Sequence, residues 1–428
     1  MELYKFNNSK KVETCLLLFS VFLCYTGMYA VRKSFLAGQY DDMEVMSNVD
    51  PKTILVISQV FGYMISKVIG IKIISEMTKS TRLYWLIGAT TFGLAMLGLF
   101  AILPSHLKFI ALFLNGLPLG MIFGIVFSYI EGRKNTELLA AALSATFIFS
   151  TGFVKSVGLI LMENFHVSEY DMPFLTGLLF FPIFLSCALI MNKCKGPSSS
   201  DVEARVERKP MYKKERIAFL KQNGLGYLSL VLIYIVLTVV RDFRDNFVVE
   251  FWEEQGTSEA PKLITLTEVP VAIIVLIIAA SSVLIKNNRK AFNLGMYLTI
   301  FGAIMMLITT ILFRERYVSA ITWMVVSGIG VYLPYILFHC LVFERLVALL
   351  KFNGNVGFLF YLADSLGYLG SVTVLLIKEF VGFRQNWSTF FINLNIESAI
   401  AILILSLVSI WFFEKQVIRK TKLSNVTV

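Results

Sequence analysis

The chain has 428 residues, of which 57% are apolar, 14% aromatic and 16% charged. Its mean hydropathy is +0.72, and so apolar a chain cannot hide its surface as a water-soluble domain. This excludes a soluble enzyme with a membrane tail, a secreted disulfide scaffold and a disordered protein. The net charge of +10 is read as loop charge that sets membrane orientation plus a few cations inside the membrane, not as a nucleic-acid footprint.

Twelve apolar stretches, each long enough to span a bilayer, follow one another along the chain. They centre near Leu23, Val60, Phe92, Met121, Phe149, Leu179, Ile235, Ile274, Ala303, Tyr332, Ser365 and Leu403. The first is expected to be a retained span and not a cleaved signal peptide, because Arg32 and Lys33 follow it instead of a small-residue cleavage site. Between the sixth and seventh lies the one long polar stretch, Lys193 to Lys221, with nine Lys/Arg against four Asp/Glu. It reads as a basic cytoplasmic linker, and Tyr212 to Phe219 has the pattern of a short amphipathic helix. The expected fold class is therefore an all-α integral membrane protein with twelve transmembrane helices in two pseudo-symmetric six-helix bundles. Its expected parts are an N-terminal bundle over 1–192, a linker over 193–222 and a C-terminal bundle over 223–428.

Charge gives the orientation. With the N-terminus inside, the inner segments carry 25 of the 39 Lys/Arg and the outer loops carry 7. The outer loops are acidic instead, as at Asp41, Asp42, Glu44 and Asp50. Both termini are expected in the cytoplasm. The absence of a targeting extension suits a bacterial inner membrane.

The two halves also repeat. Arg32 lies 21 residues after Lys11, and Arg241 lies 20 residues after Lys221. Each sits in a Val-Arg pair at the same depth of the first span of its half. Lys155-Ser156-Val157-Gly158 in the fifth span matches Asp364-Ser365-Leu366-Gly367 in the eleventh. Glu131-Gly132-Arg133 ends the fourth span and Glu344-Arg345 the tenth. These matches fall in equivalent helices, as a duplicated transporter predicts.

The charges inside the membrane carry the functional signal. Arg32, Lys33, Lys67, Lys155, Arg241 and Arg244 stand with Asp242, Asp245, Glu268 and Asp364 in the apolar spans. Each costs about 2.5–3.5 kcal/mol at a helix centre, so such groups mark a pathway more often than a lipid face. Helical spacing aligns Tyr25, Tyr29 and Arg32 on one stripe and Tyr63, Lys67 and Gly70 on another. Ser144, Thr151 and Lys155 align in the fifth span, Tyr234, Thr238, Arg241 and Asp245 in the seventh, and Tyr361, Asp364 and Tyr368 in the eleventh. Charge, hydroxyl and ring on one stripe describe a substrate-lining face; the bland alternative is a set of ion pairs that lock helices together. Substrate binding is expected at Arg32, Arg241, Lys67, Lys155, Tyr29 and Tyr63. Coupling or charge pairing is expected at Glu268, Asp364, Lys33, Arg244 and Asp245. Gating salt bridges are expected at Glu131, Arg133, Glu344 and Arg345, with solvated helix caps an equal alternative. Six cations against four anions, and guanidinium forks among them, argue for an anionic substrate.

At these residues the chain resembles a known family. Tyr29-Ala30-Val31-Arg32-Lys33-Ser34-Phe35 is similar to the first-helix motif of the organophosphate:phosphate antiporters, a major facilitator branch that contains glycerol-phosphate and hexose-phosphate transporters. Tyr63-Met64-Ile65-Ser66-Lys67-Val68-Ile69-Gly70 resembles its second helix, and Phe113-Leu114-Asn115-Gly116 with Gly120-Met121 its fourth. Val239-Val240-Arg241 resembles the seventh, Thr267-Glu268-Val269-Pro270 the eighth and Gly367-Tyr368-Leu369-Gly370-Ser371 the eleventh. The resemblance is patchy over nearly the whole chain. It implies alternating access, with Arg32 and Arg241 clamping a phosphate and Lys67 assisting. The family's histidine on helix five has no counterpart, and Asp242, Arg244, Asp245 and Asp364 are additions to its pattern.

The expected function is thus secondary transport of a small organic anion, phosphorylated in the favoured reading. Proton-coupled symport of a carboxylate or sugar derivative and a non-transporting organophosphate sensor remain alternatives. No nucleophile–base pair, metal cluster or phosphate loop stands out, so no enzyme, catalytic residue, metal or cofactor is expected. The expected partners are the lipid bilayer, a small anion and, in one alternative, protons, with no nucleic acid and a monomeric chain.

Overall fold

The computed structural model describes residues 2–44, 50–130, 133, 136–196, 213–256, 260–282, 284–285, 287–350, 356–380 and 386–426. Among them are twelve helices and no strand. They are α1 (Glu2–Lys33), α2 (Pro51–Glu76), α3 (Arg82–Ile102), α4 (Lys108–Leu119 continued by Ile122–Ile130), α5 (Thr136–Phe165) and α6 (Met172–Lys193). Then come α7 (Lys213–Glu254), α8 (Ala260–Ser282), α9 (Asn288–Arg314), α10 (Ala320–Leu337, a π turn over Phe338–Val342, then Phe343–Leu349), α11 (Val356–Phe380) and α12 (Trp387–Val426). Eleven of these are long and apolar enough to cross a membrane among the described residues. The other is α11, whose ends adjoin residues outside the description.

Large apolar side chains point outward along the spans, among them Trp85, Phe92, Leu179, Ile277, Phe301, Leu407 and Trp411. In lipid that exposure costs nothing, which is why so apolar a sequence is stable here. Where helices meet, small residues allow backbones to touch. A Cβ on Gly62 of α2 would stand 2.2 Å from the Phe113 carbonyl oxygen of α4, and one on Gly116 would stand 2.2 Å from that of Gln59. In α9 and α10, Gly302 and Gly330 each lie 2.6 Å, by the same measure, from the other's carbonyl oxygen.

The chain forms two compact units. The first holds Met1–Arg205, Asp245–Ala272 and Leu375–Arg384; the second holds Val206–Arg244, Ile273–Val374 and Gln385–Val428. The last turns of α7 and the first half of α8 therefore pack with the first six helices. Most of the linker expected over 193–222 lies outside the described residues. Its end does not: of Tyr212 to Phe219, expected as a short amphipathic helix, the described residues Lys213 to Phe219 are the first turns of α7.

Helix ends and kinks have visible causes. Asp50 caps α2 by accepting from the Thr53 amide at 2.8 Å and its hydroxyl at 2.7 Å, with Pro51 in the first turn. α7 kinks at Phe247, whose φ of −121° and ψ of 23° are not helical. No proline or glycine lies there. Instead Lys155 Nζ on α5 donates to the Asp245 backbone carbonyl at 2.5 Å, and a side chain inserted into the backbone ladder bends a helix.

Candidate functional site

In the first unit the site is built from the end of α1. The last carbonyls of a helix have no intrahelical donor. Here two amides from neighbouring helices supply one. Asn115 Nδ2 on α4 donates to the Val31 carbonyl at 3.1 Å and to the Gly93 carbonyl at 2.8 Å. Gln59 Nε2 on α2 donates to the Arg32 carbonyl at 2.6 Å and to Asn115 Oδ1 at 2.7 Å. α1 thus ends at Lys33 with Arg32 fixed and buried, and a short 3-10 turn, Ser34–Ala37, carries the chain away.

The Arg32 guanidinium lies 3.6 Å from the centre of the Tyr63 ring and 6.0 Å from that of Tyr29. Lys67 Nζ lies 5.1 Å from the same Tyr63 ring. Arg32 and Lys67 are therefore no more than about 9 Å apart, on one cation-binding ring. Tyr25, Phe123 and Phe147 pack beside Tyr29.

Three further buried cations of this unit grip the end of α7. Lys33 Nζ donates to Asn246 Oδ1 at 2.8 Å, Lys155 takes the Asp245 carbonyl, and Lys52 forms a buried ion pair with Glu250. Gln39 Nε2 adds a bond to Glu253 at 2.5 Å. Glu268 on α8 is buried against α5, where a Cβ on Gly152 would stand 2.9 Å from its Cγ. Nearby, Ser156 and Thr265 share a hydroxyl bond of 2.7 Å.

The second unit has a different chemistry. Arg241 pairs with Asp242, its neighbour in the chain, and donates to the Tyr335 hydroxyl at 2.8 Å and the Tyr368 hydroxyl at 3.4 Å. Its guanidinium also lies 4.4 Å from the Tyr335 ring centre. Tyr234 stacks on Tyr335 with ring centres 5.3 Å apart and donates to Asp364 Oδ1 at 2.9 Å. His339, in the π turn of α10, approaches the Tyr234 hydroxyl through Nε2 at 3.3 Å. π turns interrupt helices most often at functional positions. Arg244, expected as a coupling residue, is fully buried, donates to the Met324 carbonyl at 2.7 Å and leaves room beside it only for Gly328.

The expected gating residues are peripheral. Glu131 lies outside the described residues. Arg133 bonds the Tyr129 and Lys195 carbonyls. Arg345 donates to Asn288 Oδ1 at 2.9 Å, and Glu344 is half-buried.

Several residues of these clusters carry no sequence signal as charges. Gln59, Asn246, Tyr335 and His339 are neutral or nearly so. Lys52 and Glu250 look like outer-loop residues until the cap at Asp50 and the length of α7 are known. The Asp50-Pro51 pair is the signal that would have placed Lys52 inside a helix.

Among the buried ionisable side chains described, the first unit holds Arg32, Lys33, Lys52, Lys67, Lys108, Lys155 and Lys378 against Asp245, Glu250 and Glu268. The second holds Arg241 and Arg244 against Asp242 and Asp364.

The family described as "Family of unknown function (DUF5690)" matches residues 34–416. The fold is similar to that of the nucleoside transporter NupG in its crystal structure, with a TM-score of 0.61 at 12% identity, covering 94% of this chain and 100% of that one. No curated protein matches the sequence. The all-helical membrane architecture expected from the sequence is the one observed, with twelve helices among the described residues, eleven of them long and apolar enough to span a membrane, in a fold like that of this transporter.

Proposed function

The chain belongs to the DUF5690 family, and we propose that within its transporter fold it moves a small organic anion across the membrane by alternating access. The observation that carries this reading is the excess of buried cations in the first unit, seven against three carboxylates among the described residues. Lysine and arginine inside a membrane are costly. Two of them on one tyrosine ring repel each other, and an anion bound beside them relieves that repulsion. Arg32, with Lys67 beside it, is the primary anion-binding group in this reading. Tyr63 and Tyr29 shape its surroundings. Arg241 is a second anion-binding group, as the resemblance to organophosphate:phosphate antiporters implies, and a phosphorylated substrate suits the guanidinium forks. Lys155 and Lys33 hold the kinked end of α7 in the same reading. Both termini face the cytoplasm in the same reading, from the distribution of loop charge.

Thermal stabilisation of the purified protein tests this. The panel is inorganic phosphate, glycerol phosphate, hexose phosphates, carboxylates, nucleosides and uncharged sugars. An anion at 100 times its dissociation constant is expected to add about 2.7 kcal/mol. Arg32→Gln is expected to abolish that gain and Arg241→Gln to reduce it. Stabilisation by the neutral compounds alone, or equal stabilisation of the wild type and both variants, overturns the anion reading.

A further inference from the structure

We propose that Asp42 and Glu169 form a proton-binding clasp in the first unit, in which two carboxyl groups share one proton and so brace the connection between α1 and α2 against that between α5 and α6. The clasp goes beyond the anion reading and stands on the geometry of these two connections.

Two crossed contacts build it. Glu169, between α5 and α6, reaches the other connection, where its Oε2 accepts from the successive amides of Gln39 and Tyr40 at 3.0 and 2.8 Å. Asp42 reaches back, and its Oδ1 accepts from the Tyr170 hydroxyl at 2.5 Å. Neighbours in one connection thus bond neighbours in the other. This brings the Asp42 and Glu169 carboxyl groups within hydrogen-bond reach of each other.

Ionised carboxylates only accept. The Tyr170 phenol gives its one hydrogen to Asp42, and the two amides give theirs to Glu169, so none of these hydrogens links the carboxyl groups. A hydrogen bond between them needs a proton of its own, and with both groups ionised they repel. With one proton, Glu169 donates to Asp42 while Oε2 keeps both amides. That proton comes from bulk water and returns to it, and no bond other than O–H changes.

The surroundings place the proton on Glu169. The phenol bond holds the exposed Asp42 carboxyl low, while partial burial raises Glu169 in spite of its two amides. Lys108, at the start of α4, also favours an ionised Asp42. Its Nζ is fixed on the Phe100 and Ala101 carbonyls at 2.7 and 3.3 Å and lies 4.3 Å from the centre of the Tyr170 ring. Asp171, before α6, faces Lys108 in turn, and the Tyr40 phenol faces Glu169 and Tyr170. Glu253 on α7 is joined to this corner through the neutral Gln39 amide. Asp41, Glu44, Glu163 and His166 stand nearby in the chain and are exposed.

The braced turn is a demanding one. Tyr40 is fully buried with a φ of 64°, a left-handed conformation that a bulky side chain keeps only where its surroundings fix it. Its hydroxyl donates to the Phe35 carbonyl at 2.8 Å, in the 3-10 turn that follows Arg32 and Lys33. The clasp is closed while Glu169 holds the proton and loosens as pH rises through its raised value.

The test uses the full chain in lipid nanodiscs without any ligand. Thermal unfolding from about pH 4 to 8 is compared for the wild type, Glu169→Gln, Asp42→Asn and the double variant. Glu169→Gln keeps an oxygen for the two amides and an N–H for Asp42, so it copies the protonated acid at every pH. Its melting temperature is expected to match the wild type at the acid end and to rise increasingly above it as pH rises. With Asp42→Asn in the background that gain is expected to vanish, because no second carboxylate remains to repel. Infrared difference spectra follow the Glu169 carboxyl band, assigned by its loss in Glu169→Gln. Asp42→Asn is expected to lower the midpoint of that band by about one pH unit, a tenfold loss of proton affinity. A Glu169→Gln offset that is the same at every pH, or a Glu169 midpoint unmoved by Asp42→Asn, overturns the clasp. Because no anion is present, this failure is distinct from failure of the anion reading, which the stabilisation panel measures.

Discussion

The two units solve the problem of buried charge differently. In the first, backbone carbonyls, neutral amides and ring faces stand beside the cations: Lys155 at the Asp245 carbonyl, Lys33 at Asn246, and Arg32 and Lys67 at Tyr63. In the second, Arg241 is met by a carboxylate and phenols and Asp364 by a phenol that also touches an imidazole, while Arg244 donates to a backbone carbonyl. Neutral partners orient a cation without cancelling its charge, whereas a carboxylate cancels it. Among the described buried side chains, the first unit holds seven cations against three carboxylates, and the second two against two.

Lys52 and Glu250, a buried ion pair in the first unit, give the largest expected effect. Removing one partner of a buried pair strands the other. Lys52→Met is expected to cost about 3–5 kcal/mol, while Lys52→Met combined with Glu250→Leu recovers most of it. Thermal or denaturant unfolding in detergent reads both. A double variant as unstable as the single one would mean that Lys52 acts through something other than this pair, and the contrast between the units would weaken.

The next test separates neutral from charged support. Asn115→Leu leaves the Val31 and Gly93 carbonyls without their amide donor, at an expected cost of about 1–3 kcal/mol. Tyr335→Phe removes one hydroxyl from Arg241, which keeps Asp242, at an expected cost of about 0.5–1.5 kcal/mol. The same unfolding assay compares them. The reverse ranking would show that the phenols, not the carboxylate, hold Arg241.

These partners also mark where the sequence stopped being legible. Charges in an apolar stretch stand out because lipid makes each of them expensive, so Arg32, Lys67, Lys155, Arg241 and Asp364 could be found by scanning. Helix count and period were legible for the same reason. Gln59, Asn115 and Asn246 cost little in any one span, and nothing local says which carbonyl they will serve. The bend at Phe247 has no proline or glycine to announce it, because its cause is Lys155, ninety residues before Asp245 in the chain. Nothing local in the sequence distinguishes His339. Its meaning comes from a π turn and a tyrosine 105 residues away.

The smallest effect lies outside the spans, in the loops of the first unit, where charge is handled by water and hydrogen bonds instead of by burial. Tyr170 donates to Asp42 at 2.5 Å, and Glu169 accepts from the Gln39 and Tyr40 amides at 3.0 and 2.8 Å. The phenol bond holds the exposed Asp42 carboxyl below its usual range, and partial burial pushes Glu169 above its own, against the pull of those two amides. The signs oppose each other. The Asp42 contribution to stability is present above its unfolded value and is lost as pH falls through the lowered one. The Glu169 contribution is present below its unfolded value and is lost as pH rises through the raised one. Across the carboxylate range, about pH 3 to 6, the two partly cancel in the wild type. Tyr170→Phe keeps the ring against Tyr40 and Phe100 and removes the largest cause of the Asp42 shift. Its melting temperature is expected to match the wild type at the acid end and to fall increasingly below it as pH rises. A deficit of equal size at every pH would mean that the phenol acts through packing, and that these loops follow the burial rule of the spans after all.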